Sequence, residues 1–92
     1  MKYLKVLWNH NFEDEPVVLY SELSENRWEI RKIEIFPNGS YGYAYDNNDY
    51  GTTHLSEKPL PSVQDIASDP QFNPYEISKS AFEKVWEKVL AG

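Results

Sequence analysis

The stretch Phe36-Pro37-Asn38-Gly39-Ser40-Tyr41 constrains this chain more than any other. Asn-Gly readily takes the left-handed backbone that a two-residue hairpin turn demands. Between aromatic-bearing flanks it predicts a β-hairpin with a type I′ turn. A hairpin here forces strands on both sides. Downstream, Tyr41 to Tyr45 puts its tyrosines on one face and Gly42 and Ala44 on the other. Upstream, Trp28 to Phe36 changes phase: Trp28 and Ile30 lie on one face, Ile33 and Ile35 on the other. A β-bulge near Arg31-Lys32 reconciles the halves, because one inserted residue flips the alternation. Nearer the N-terminus, Leu4, Val6 and Trp8 alternate with Tyr3, Lys5 and Leu7, and Val17 to Leu23 forms a second strand after Pro16. Asp46 to Gly51 reads as a turn, and Thr52 to Leu55 as a short fifth strand.

Beyond Leu55 the pattern changes. Lys58-Pro59-Leu60-Pro61 cannot continue a central strand, since proline has no ladder N–H. Ser62 is placed to cap a short helix carrying Val63 and Ile66, with Asp65 at its third position. Asp69-Pro70 and Asn73-Pro74 break the chain again. Ser78 then caps a final helix on which Phe82, Val85, Trp86, Val89 and Leu90 make one apolar stripe, ended by Gly92. Strands first and helices last predict an α+β fold: an antiparallel meander of about five strands, with the C-terminal helix and the short one before it on one face. Gly42 and Ala44 offer the helix a close approach, which turns Tyr41, Tyr43 and Tyr45 toward solvent or a partner. The 92 residues are expected to form one domain, 1–92.

Composition narrows the chemistry. Aromatics make up 15% of the chain, enough to fill one core, and there are no cysteines, which excludes disulfides, thiolate metal sites and cysteine nucleophiles. The formal charge of −6 opposes phosphate neutralisation, so no nucleic-acid partner is expected. No signal-type or membrane-spanning run occurs; no membrane association and a cytoplasmic location are the expectation.

Among motifs, His10 precedes Glu13-Asp14-Glu15, and His54 lies in the expected fifth strand. Such a pair could serve as general acid and base in a small hydrolase or nuclease. The plainer reading has His10 holding a loop by hydrogen bonds and His54 as an ordinary strand residue. Asp46, Asn48, Gly51, Thr52, His54 and Glu57 fall on EF-hand loop positions, but Tyr50 stands where a ligand is required and the flanks are strands. A tight turn explains the same residues, and neither a metal nor a cofactor is expected. There is no nucleophile elbow and no phosphate loop.

The charge distribution says more. Between Val6 and Asn26 lie Glu13, Asp14, Glu15, Glu22 and Glu25 without a Lys or Arg; between Ile33 and Glu57 lie Glu34, Asp46, Asp49 and Glu57, again without one. Carboxylates at 13–15 and 46–49 beside exposed tyrosines suit a protein-binding surface, the aromatics anchoring and the acids steering a basic partner. A merely solubilising acidic surface is the plain alternative.

Trp8-Asn9-His10-Asn11-Phe12-Glu13-Asp14-Glu15-Pro16, Tyr20-Ser21-Glu22 and Arg31-Lys32-Ile33-Glu34-Ile35-Phe36 come in one order with Gly42-Tyr43-Ala44, Ser68-Asp69-Pro70-Gln71-Phe72 and Ile77-Ser78. With Phe82 and Val85-Trp86 they make the chain resemble a family of small uncharacterised bacterial proteins classed as a domain of unknown function. In scale and acidity such proteins are similar to immunity proteins of polymorphic toxin systems. The resemblance implies a non-enzymatic immunity-type inhibitor that binds a cognate toxin domain, for instance a nuclease with a basic cleft. Glu13, Asp14, Glu15, Asp46 and Asp49 would rim that cleft, with Tyr43, Tyr45 and Tyr50 as anchors. The inhibitor would be a monomer or weak dimer. The alternatives are the His10/His54 enzyme and a ligand-binding domain whose tyrosine face stacks on sugars or bases.

Overall fold

The computed structural model describes residues 1–92. The elements follow the chain as β1 (Lys2–Trp8), β2 (Val18–Leu23), β3 (Glu29–Ile35), β4 (Tyr41–Tyr45), β5 (Asn48–Tyr50), α1 (Val63–Ala67), β6 (Phe72–Ile77) and α2 (Lys79–Ala91). The strands form a six-stranded sheet in the order β5-β4-β3-β2-β1-β6, every neighbouring pair antiparallel. The α+β class and the meander are as expected, but the two helices do not share a face: α2 packs over Tyr3 and Ile33, whereas α1 lies on the other side of the sheet, with Val6 and Leu19. No helix is long and apolar enough to cross a membrane.

The strand inventory needs correcting at two places. Thr52–Leu55 is not a strand; the fifth strand is Asn48–Tyr50, reached from β4 by a tight turn at Asp46-Asn47 with Asp46 at φ 49. The sixth strand runs through Pro74, where a break was expected. It is tolerated because β6 is an edge strand: Pro74 faces Val6 of β1, and no strand lies on its other side.

The hairpin forms where expected, with a different turn. Type I′ would pair residue 37 with residue 40 through both backbone groups, and Pro37 has no N–H to give. The pairing moves out one residue instead, with Phe36 N donating to Ser40 O at 2.9 Å and Gly39 N to Phe36 O at 2.9 Å. Pro37 to Gly39 thus form a three-residue loop in which Gly39 alone takes a left-handed φ, of 85. Asn38 Oδ1 accepts from both the backbone N and the hydroxyl of Ser40.

Both helix caps are as read. Ser62 Oγ accepts from Asp65 N at 3.1 Å, and Ser78 Oγ from Ala81 N at 3.0 Å. Phe82, Trp86 and Val89 of α2 bury themselves against Tyr3 and Ile33, with Val85 packed alongside, whereas Leu90 is exposed. The face assignment is reversed. Tyr43 and Tyr45 meet the Trp86 indole edge-on at 5.6 and 5.4 Å, so the β4 tyrosines lie under α2. Gly42 and Ala44 face the other way. A Cβ on Gly42 would collide with Thr53 Oγ1 and come within 2.9 Å of Tyr50 O, so it is the loop after β5 that the small residues admit.

That loop continues as a strap across the second face of the sheet. Arg27, held at φ 66 in the β2–β3 turn, ties it down: Nε donates to Leu60 O at 3.0 Å, a guanidinium NH2 to Pro61 O, and Leu60 N donates back to Arg27 O at 2.8 Å.

Candidate functional site

Alternating strand direction separates the expected site residues. The connections 9–17 and 36–40 lie at one end of the sheet, and the turns 24–28 and 46–47 at the other. Glu13, Asp14 and Glu15 are thus at the opposite end from Asp46, and β3 stands between β2, which their loop enters, and β4. Tyr43 and Tyr45 are committed to Trp86. Tyr50 is 51% exposed and stacks on Tyr43 at 5.0 Å. Asp49 is paired with His54 Nδ1 at 2.7 Å. The single docking face drawn from these eight residues is not assembled; the acidic 13–15 segment stands on its own.

Nor do the histidines meet. His10 follows β1 and His54 sits beside β5, separated by roughly 15–20 Å of intervening strands. His10 Nδ1 accepts from Phe12 N at 2.9 Å, which leaves Nε2 protonated to donate to Pro16 O at 2.8 Å. Both ring nitrogens are spent on holding the 9–16 loop, the plainer role foreseen for this residue. His54 is an exposed partner of Asp49 and not a strand residue. No group of His, Asp and Glu is arranged to hold a metal ion.

The 9–16 loop is built on an aromatic row. Trp8 packs on Phe72 at 5.5 Å and on His10 at 4.4 Å, and His10 on Phe12 at 5.4 Å. Trp8 Nε1 donates to Gln71 Oε1 at 3.1 Å, and Asn9 N to Gln71 O, which fastens the loop base to the β6 edge. Phe12 ends the row 60% exposed. With Trp8, Asp14 and Glu15 it lines a shallow hollow, and Glu13, Asp14 and Glu15 are exposed and enter no ion pair.

On the α2 face, the one strongly perturbed cluster is structural. Arg31 donates to Glu22 through Nε at 2.6 Å and to Glu83 through NH2 at 2.8 Å, its guanidinium lying over the rings of Phe82 and Trp86 at 4.8 and 5.0 Å. Tyr3 OH donates to the same Glu22 at 2.8 Å. Hydrogen bonding to Arg31 holds both carboxyls below the usual carboxylate range; the bonds to Glu83 and then Glu22 push the guanidinium pKa up. Burial, followed by the bond to Glu22, raises the Tyr3 phenol. All four groups lie under or on α2, away from both the hollow beside Phe12 and the cavity on the other face.

The second face holds a feature that the sequence reading passed over. The bulge foreseen near Arg31-Lys32 falls at Ile30: Leu23 faces Glu29 and Glu22 faces Arg31, so Ile30 has no partner across the strand. It turns Glu29 to the same side as Lys32, three residues on. A cavity of about 620 Å³ opens there between the sheet, the strap and α1. The phase change in 28–36 was the one local signal of this arrangement; the strap that roofs it is brought in from distant sequence.

Compared with known proteins, residues 2–91 match the model of one protein family. No curated protein and no solved structure matches the chain.

Proposed function

The chain belongs to the family described as a domain of unknown function, DUF6881, and within it we propose a non-enzymatic domain that binds a basic protein surface through the 9–16 loop. One observation carries this reading: Phe12 is 60% exposed at the tip of a hydrogen-bonded loop whose next three residues are unpaired carboxylates. An exposed aromatic ring within an acidic rim is the chemistry of a contact anchor with electrostatic steering. Because His10 already fixes the loop, little ordering entropy opposes docking.

In its specific form the partner is a cognate toxin domain with a basic cleft, and the chain is its immunity-type inhibitor. The net charge of −6 and the isolated acidic loop support that form. Tyr43 and Tyr45 have no part in it, and Asp46, Asp49 and Tyr50 stand outside this contact.

The test is titration calorimetry against the products of the adjacent genes, with wild type, Phe12→Ala and the combined Glu13→Lys/Asp14→Lys/Glu15→Lys variant. Each variant is expected to weaken binding at least tenfold, about 1.4 kcal/mol. For the toxin form, co-expressed wild type rescues growth and the charge-reversed variant does not. A partner that binds both variants as tightly as wild type ends the loop reading; a partner without toxicity ends only its specific form.

A further inference from the structure

The cavity on the second face is remote in kind from the acidic loop. Its apolar walls are Val6, Leu19, Leu60, Ile66 and Phe72, its floor is Glu29 and Lys32, and the exposed Lys58, Asp65 and Asp69 complete the lining on the solvent side. A volume of about 620 Å³ falls in the range of small-molecule sites, which are mostly apolar with a few fixed polar groups.

The floor's hydrogen-bonding is lopsided. Glu29 Oε2 accepts from Ser21 Oγ at 2.8 Å and Oε1 from Ser56 N at 2.6 Å. Glu34 Oε1 accepts from Thr53 Oγ1 at 2.7 Å. The carboxylates are thus already engaged by neutral donors. Lys32 Nζ lies 3.6 Å from Glu29 and 3.9 Å from Glu34, close enough for attraction and too far for a hydrogen bond. Lys32 Nζ hydrogen-bonds to neither carboxylate and is left with N–H donors to give. The floor's charge is also settled, since one ammonium stands between two carboxylates: an added anion meets Glu29 and Glu34, and an added cation meets Lys32.

We propose that this cavity is a binding site for a small, uncharged, largely apolar molecule bearing a carbonyl-type oxygen, which accepts from Lys32 while its body lies against Leu60, Ile66 and Phe72. The strap is the roof of the site, and Arg27 is the clasp that positions it.

The experiment compares three probes of one shape on the intact chain by amide NMR titration: naphthylacetamide, naphthylacetate and naphthylmethylamine. The amide is expected to give saturable shifts at Lys32, Leu60 and Ile66, with an affinity at least tenfold above either charged probe. Lys32→Met retains the fold by circular dichroism and loses about tenfold in amide affinity. Ile66→Trp, which fills the space from the helix side, abolishes the shifts for all probes. The proposal is overturned by no saturable shift with the amide, by equal binding of the three probes, or by amide affinity unchanged in Lys32→Met. Loss of binding in Lys32→Met alone is not accepted if its spectrum shows unfolding; Ile66→Trp then decides, and amide binding that survives it also overturns the site.

Discussion

At the scale of single residues, the same acidic side chain does opposite work depending on what lies beside it. Glu22 and Glu34 counted toward the cation-free stretches of the sequence, yet both face inward: Glu22 to Arg31 and Tyr3, Glu34 to Thr53 and Lys32. Linear charge counting cannot see a partner on the next strand. Arg31 is the residue on which that half of the core turns. Removing it strands a nearly buried Glu22 carboxylate, so Arg31→Ala is expected to cost about 3 kcal/mol, read as a fall in the denaturant midpoint. Glu83 is the more exposed partner, and Glu83→Gln is expected to cost under about 1 kcal/mol. The pH dependence follows from the same contacts. Glu22 and Glu83 titrate below the ordinary glutamate value of about 4.3, so the stability they contribute is complete above that value and lost as pH falls through their folded values. The Tyr3 phenol is raised, so its contribution is complete below the ordinary tyrosine value, about 10, and lost as pH rises through its folded value. Thermal melts between about pH 3 and 6 are expected to show the acid limb in wild type and a shallower one in Arg31→Ala.

At the scale of elements, what was legible is what local chemistry decides. Ser62 and Ser78 announced their helices, the Phe82-Trp86-Val89 spacing announced the buried stripe, and the phase change at 28–36 announced a bulge within two residues of its place. What failed was decided by elements far apart in sequence. Gly42 and Ala44 do permit a close neighbour, but Thr53 takes the place given to the helix. The tyrosines, amphipathic enough for either environment, went under Trp86. Pro74 marks a break only in a central strand, and nothing local says that β6 is an edge. Of the site, the exposed acids at 13–15 and the loop-holding role of His10 were legible; the Glu29–Lys32 floor was not, because its roof is a strap clasped by a turn some thirty residues earlier. That clasp can be opened selectively. Arg27→Ala removes both side-chain bonds to the strap and leaves the sheet ladders intact. Hydrogen exchange at the Leu60 amide is expected to accelerate at least tenfold while exchange within β1 and β2 stays unchanged; unchanged Leu60 exchange would mean that the strap is held by its own packing.

At the scale of the whole molecule, an antiparallel meander assigns its loops to two ends in strict alternation, so distance along the chain says little about which loops share a surface. The molecule measures 33 × 32 × 25 Å, and a seven-residue strand such as β1 spans about 23 Å of it. The 13–15 and 46–49 carboxylates therefore project toward opposite poles, and a partner centred on Phe12 meets only the first set. Charge reversal separates a local contact from a general effect of net charge. Asp46→Lys with Asp49→Lys changes the formal charge by as much as reversing any two residues at 13–15, and it also breaks the His54 pair, which is exposed and contributes little. If binding is local, the 46/49 variant is expected to keep its affinity for a basic partner within about a factor of two at physiological salt, where screening reaches about 8 Å, while reversal of Glu13 and Asp14 loses at least tenfold. Equal losses from the two variants would show that the molecule is recognised by its overall field and not by the loop.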